Sequence, residues 1–84
     1  MHKGKYIFPA IFEPGEKHGY CITFPDLVGI VTSGETIDES LAMAKEALEL
    51  HLYDMEEDEY VIPEPTPPNK ITALEDGFVN LIEV

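Results

Sequence analysis

From residue 5 to 13 the chain reads KYIFPAIFE, with apolar side chains at nearly every position. Tyr6, Phe8, Ala10 and Phe12 fall on one face of an extended segment, and Ile7, Pro9 and Ile11 on the other. Period-two spacing of aromatic and β-branched residues predicts a strand over about 5–13, and its two apolar faces predict cover on both sides. Pro9 has no N–H for a ladder, so an edge, a strand start or a bulge is expected there. EPGEKHG breaks the pattern and reads as a hairpin connection. Tyr20, Ile22 and Phe24 then alternate with Cys21 and Thr23, which predicts a second strand over about 19–24. PDLVG turns the chain again, and a short third strand follows over about 30–33. Strands joined this tightly form an antiparallel meander.

The period then changes. Ile37, Leu41, Ala44, Leu48, Leu52 and Met55 recur three and four residues apart and make one apolar stripe of a helix over about 37–55. TIDE at its start is a capping box, with the Thr36 hydroxyl accepting from the Glu39 N–H and Glu39 reaching back to the Thr36 N–H. Asp38 and Glu39 also suit the positive end of the helix dipole. Asp38, Lys45, Glu46 and Glu49 occupy the opposite face. Met43, Ala47 and Leu50 form a second patch to one side. It is either the broad shoulder of the core face or a contact with another subunit.

Five acids in the six positions 54–59 should repel one another, so the helix is expected to fray there. The prolines over about 63–68 forbid helix and predict an extended connector. Phe78, Leu81, Ile82 and Val84 predict a last strand over about 78–83. The reading is one α+β domain over 1–84, of order β-β-β-α-β. A small, mainly antiparallel sheet carries one helix, with Leu41, Ala44 and Leu48 against Phe8, Ile22 or their neighbours. The return from the third strand through the helix is expected to set the last strand parallel to its neighbour, the first strand.

Composition narrows the partners. Seventeen acids face five Lys and Arg in 84 residues, a formal charge of −12. Such a surface repels phosphate backbones, which counts against direct DNA or RNA binding. It attracts basic partners, or it serves only to keep the chain dispersed. A core this thin gains from association, so a homo-oligomer, dimer or higher, is expected, with the patch Met43, Ala47 and Leu50 as its contact. The single cysteine excludes an internal disulfide. No stretch reads as a membrane span or signal peptide, which points to the cytoplasm.

Chemical candidates are few. Glu13 and Asp26 are the acids next to strands, but both stand at turn ends, where acids are ordinarily solvated or capping. His51 with Asp54 or Met55 has helical spacing, yet one histidine with weak companions is not a metal site. Cys21 has no His or Lys beside it and reads as a small buried residue. GETIDES offers a helix N-terminus, but its own acids would repel an anion. No catalytic, cofactor or metal residue is assigned, and no enzymatic activity is expected.

Taken together, FPAIFEPGEKHGYCITFPDLVGIVTSGETIDESLAMAKEALELHL and the later IPEP resemble the HicB family, antitoxins of bacterial toxin–antitoxin pairs. The shared pattern is Pro-Ala-Ile-Phe in the first strand, Gly-Tyr, Phe-Pro-Asp-Leu, a turn glycine, Gly-Glu-Thr at the helix start and Ala-Lys-Glu-Ala-Leu within it. Val28 stands where the family usually has proline. The resemblance implies a partial ribonuclease H-like fold without that enzyme's acidic constellation. It implies a type II antitoxin whose partner is a small basic HicA-type toxin, an mRNA-cleaving protein with a double-stranded-RNA-binding-like fold and a catalytic histidine. Carboxylates would occupy the place of RNA phosphates on that toxin. Asp26 and Leu27 in the turn, and Glu56, Glu57 and Asp58 in the acidic run, are the expected contacts. Many relatives carry a C-terminal DNA-binding segment; a chain stopping at Val84 reads either as a short, stand-alone form or as an incomplete one, and as it stands it is not expected to bind an operator itself. The other readings are an orphan HicB-like domain with RNA-binding or weak ribonuclease character, and an oligomeric structural module.

Overall fold

A computed structural model describes residues 6–15, 18–73 and 76–84. Residue 5, the expected start of the first strand, lies outside them. The elements are β1 (Ile7–Pro14), β2 (Tyr20–Thr23), β3 (Val31–Gly34), α1 (Ile37–Glu57), a 3-10 turn (Pro68–Lys70) and β4 (Phe78–Glu83). The four strands form one sheet in the order β3-β2-β1-β4, with every neighbouring pair antiparallel. The architecture is α+β, with the helix on one sheet face.

β4 pairs with β1, as expected, but antiparallel to it, not parallel. The reason lies in the connection. A parallel crossover needs the chain to make one return pass, and α1 supplies that pass. The chain beyond α1 then returns along the sheet, so β4 starts from the opposite end.

Pro9 sits inside a strand that has neighbours on both sides, and hydrogen-bond parity explains how. Tyr6 and Val84 exchange N–H···O bonds of 3.2 and 2.9 Å. Exchanging pairs recur every second residue, so Phe8, Ala10 and Phe12 bond β4, and odd-numbered residues turn toward β2. Pro9 therefore faces the β2 side, where pairing has ended at Ile11–Thr23. One step further along that register would oppose Pro9 to Pro25, and neither has an N–H. The missing donor is at a local edge, as a proline in a sheet requires.

Phe8, Ala10, Phe12, Ile22, Phe24, Leu27, Ile30, Ala44, Leu48, Leu52 and Ile82 make the core. The Phe12 and Phe78 rings stack at 5.0 Å. Alternation puts Ile7, Val31 and Leu81 on the face away from α1, where they are 44%, 69% and 49% exposed. The expectation of cover on both faces of β1 thus fails at Ile7, but it holds at Pro9, which is fully buried, and in part at Ile11, which is half-buried. Cys21 is on this open face as well and is exposed, not buried.

The helix stripe is displaced at its first turn. Ala44, Leu48 and Leu52 are buried, but Ile37 is 40% exposed and Leu41 only half-buried. Ser40 takes the buried place instead. Gly34 explains the shift. An added Cβ on Gly34 would lie 2.6 Å from the Ser40 backbone nitrogen, so β3 and the helix start touch backbone to backbone. The capping box forms with one change: Glu39 N–H donates to Thr36 Oγ1 at 3.1 Å, while Glu39 Oε1 accepts from the Glu35 N–H at 2.8 Å, one residue earlier than expected.

The acidic run does not fray the helix, which persists to Glu57. It closes in a Schellman arrangement. Glu59 N–H donates to the Glu56 carbonyl at 3.2 Å and Tyr60 N–H to the Met55 carbonyl at 2.9 Å. Glu59 takes the left-handed conformation, φ 58°. These bonds satisfy the last carbonyls and offset the repulsion among the acids.

Candidate functional site

The turn between β2 and β3 is two turns in series. Leu27 N–H donates to the Phe24 carbonyl at 3.1 Å, and Ile30 N–H to the Leu27 carbonyl at 3.4 Å. Pro25 stands second in the first turn, where its fixed φ fits, and Gly29, third in the second turn, has φ 107°. The chain thereby swings Leu27 inward to 2% exposure and Val28 outward to 92%. Leu27 is a core residue, so burial withdraws it from the contact role the sequence suggested.

Asp26 is occupied too. Its Oδ2 accepts from the Thr66 N–H at 2.9 Å, and its Oδ1 accepts from the Thr66 hydroxyl. One carboxylate therefore ties the proline-rich connector to the turn. The sequence placed Asp26 in a turn but gave no partner for it. Thr66 is flanked by Pro65 and Pro67 in a segment without periodicity, so its signal was only that of a polar residue among prolines.

The acidic run divides. The Tyr6 hydroxyl donates to Glu56 Oε2 at 3.0 Å, and Glu56 Oε1 is buried without a hydrogen-bond partner. Glu56 thus belongs to the interior contact between the helix end and the start of the sheet. The bond to Glu56 raises the Tyr6 phenol above its ordinary value, and burial and the Glu56 charge add to the effect. Asp54, Glu57, Asp58 and Glu59 are exposed, and they form an acidic cap on the last turn and exit of α1. The helix dipole places its negative end there as well.

The side patch is exposed on α1: Met43 by 38% and Leu50 by 60%, with Ala47 half-buried between them. A cleft of about 240 Å³ separates this patch from the end of the second turn, with Ala47, Leu50 and His51 on one wall and Gly29, Ile30 and Val31 on the other. Asp54 closes the cleft at the acidic end. The structure thus brings together the turn, the side patch and the acidic cap, which are separate candidates along the sequence. Among the described residues no three His, Cys, Asp or Glu side chains gather as a metal site. No described helix is long and apolar enough to cross a membrane.

The family profile described as HicB_like antitoxin of bacterial toxin-antitoxin system matches residues 8–84. The chain belongs to this HicB-like antitoxin family. It is 40% identical over 60 residues to Antitoxin HicB 1 of Photorhabdus laumondii, a match covering 71% of this chain and 39% of the relative. It is 38% identical over 63 residues to Antitoxin HicB of Escherichia coli K12, covering 74% of this chain and 45% of that one. The chain thus spans less than half the length of these two curated relatives. Among solved structures, a toxin–antitoxin complex from Streptococcus pneumoniae contains a chain with the same fold. The TM-score is 0.87 at 24% identity, over 96% of this chain and 69% of that one.

Proposed function

We propose that this chain neutralises a small basic HicA-type toxin by covering the surface on which that toxin holds RNA, and that it has no nuclease activity of its own. The observation that carries the reading is the family match over 8–84, to a profile described as an antitoxin. The acidic cap gives it a physical means. Asp54, Glu57, Asp58 and Glu59 are exposed carboxylates gathered at one helix end, in a chain of net charge −12. A ribonuclease must carry positive charge where phosphates lie, and this cap offers the matching charge. Asp26 and Glu56 enter the reading indirectly, because their bonds to Thr66 and Tyr6 fix the turn and the helix exit from which the cap projects. The reading extends to a cytoplasmic protein that acts without binding DNA directly and that associates with itself.

Stopped-flow mixing with the toxin encoded beside this chain tests the charge term. The association rate should fall as salt rises, since screening weakens steering, while dissociation changes little. Replacing Glu57, Asp58 and Glu59 together by Gln should lower the low-salt rate and flatten its salt dependence. A rate indifferent to both would show that the acidic cap is only a solvated helix end.

A further inference from the structure

Small residues leave the cleft beside α1 open. Ala47 stands on one wall and Gly29 on the other, and nothing lies within 4 Å of the point where a Cβ on Gly29 would be. Along α1 the lining changes character. Ala47 and Leu50 are apolar, His51 offers an imidazole ring, and Asp54, one turn beyond Leu50, ends the row with a carboxylate. Among the described residues that carboxylate takes part in no hydrogen bond or ion pair. It stands in the last turn of α1, where the helix dipole is negative, and it borders the exposed cap of Glu57, Asp58 and Glu59. The cleft is therefore an apolar trough with an unpaired anion at one end.

Size and charge together choose the occupant. Clefts that bind small molecules enclose about 300–1,000 Å³. This one holds about 240 Å³, room for a single side chain. Apolar walls with an anionic end suit a long cationic side chain, whose stem lies on hydrocarbon while its head meets the carboxylate. Arginine fits better than lysine. Its guanidinium is the less strongly hydrated cation, stacks on a flat ring such as the His51 imidazole, and bonds a carboxylate through two N–H groups at once. Its three methylenes span the helical turn of about 5.4 Å from Leu50 to Asp54.

We propose that the cleft anchors one arginine of the toxin, with its stem on Ala47 and Leu50 and its guanidinium on Asp54. The inference rests on the toxin-binding reading above and adds a division of labour to it. The cap of Glu57, Asp58 and Glu59 draws the partner in, and the cleft holds it. Charges at the rim of an interface act chiefly on association, whereas a covered charge pair at an arginine anchor acts on dissociation. Such a covered pair is also screened less by salt than the cap.

Stopped-flow association and dissociation of the full chain with the toxin encoded beside it separate the two roles. Asp54→Asn removes the charge and keeps the shape; Ala47→Leu fills the trough and keeps the charge. Each should speed dissociation by about tenfold or more. Each should slow association by less than replacing Glu57, Asp58 and Glu59 together by Gln does. If Ala47→Leu disturbs the far-UV circular dichroism, Asp54→Asn, at an exposed position, carries the test alone. Toxin arginines replaced singly by Ala, each combined with Asp54→Asn, then find the partner. For one arginine the losses should not add, and the double variant should dissociate about as fast as the worse single one. Dissociation unchanged by Asp54→Asn, or losses that add for every toxin arginine, overturns the anchor, while inhibition by the wild type leaves the antitoxin reading standing. Coupling of Asp54 to a toxin lysine overturns the choice of arginine. A wild-type chain that neither binds nor inhibits the toxin overturns both readings.

Discussion

Asp26 and Thr66 are separated by 40 residues, and their bonds close the longest irregular stretch of the chain onto the sheet. Either Asp26→Ala or Thr66→Val should cost about 1–3 kcal/mol in a urea titration, and the double variant little more than one of them. Additive losses would mean that each side chain stabilises the fold through other contacts. The turn role of Asp26 was legible in PDLVG, because proline, aspartate and glycine each carry a local backbone preference. Its partner was not, since no spacing rule links a turn to a residue so far along the chain. Tyr6 teaches the same lesson at the helix end, where the sequence suggested Glu56 only as a contact for the toxin and the structure gives it Tyr6 as a partner. The phenol is held above its ordinary value of 10.0 by Glu56, so the folded state favours its protonated form. Its contribution is complete below the unfolded value and is lost as pH rises through the higher folded value. Alkaline unfolding followed by circular dichroism should therefore show a loss of stability above about pH 10 that Tyr6→Phe reduces. An unchanged alkaline limb would remove Tyr6 from the account.

The helix was the most legible element, because its stripe repeats over five turns and a strong capping box marks its start. Leu48→Ala should cost about 2–5 kcal/mol, as it empties a site with no solvent exposure. A loss below about 0.5 kcal/mol would place Leu48 outside the core. The ends of the helix were less legible. Ile37 fits the stripe but is exposed, because Gly34 lets the backbone of β3 approach Ser40, and that contact rotates the first turn. At the other end the repulsion argument was sound but incomplete, since a Schellman closure depends on backbone geometry that side-chain charge does not reveal. Glu59 adopts the left-handed conformation at that closure, a place that favours glycine. Glu59→Gly should therefore stabilise the fold by up to about 1 kcal/mol. A destabilised variant would show that the Glu59 side chain matters more than its backbone strain. The direction of β4 was missed for a related reason. The crossover rule applies to a single return pass, and the proline-rich connector adds a second.

For the whole molecule, two surfaces follow one another along α1, the first over its middle turns and the second at its C-terminal end. One is apolar and borders an open strand edge; the other is a group of exposed carboxylates. Composition showed the acidic excess but not its location, because charges that are scattered in sequence gather only after folding. Family membership and the acidic cap lead to one central claim, that the chain silences a basic RNA-cleaving protein by binding it. The most direct measurement is a titration of the chain into the toxin encoded beside it, with cleavage of a defined RNA as the readout. The account predicts that cleavage falls linearly and ends at a fixed stoichiometric ratio, while the chain alone leaves the RNA intact with or without magnesium. Full cleavage with the chain in excess, or cleavage by the chain itself, would contradict it.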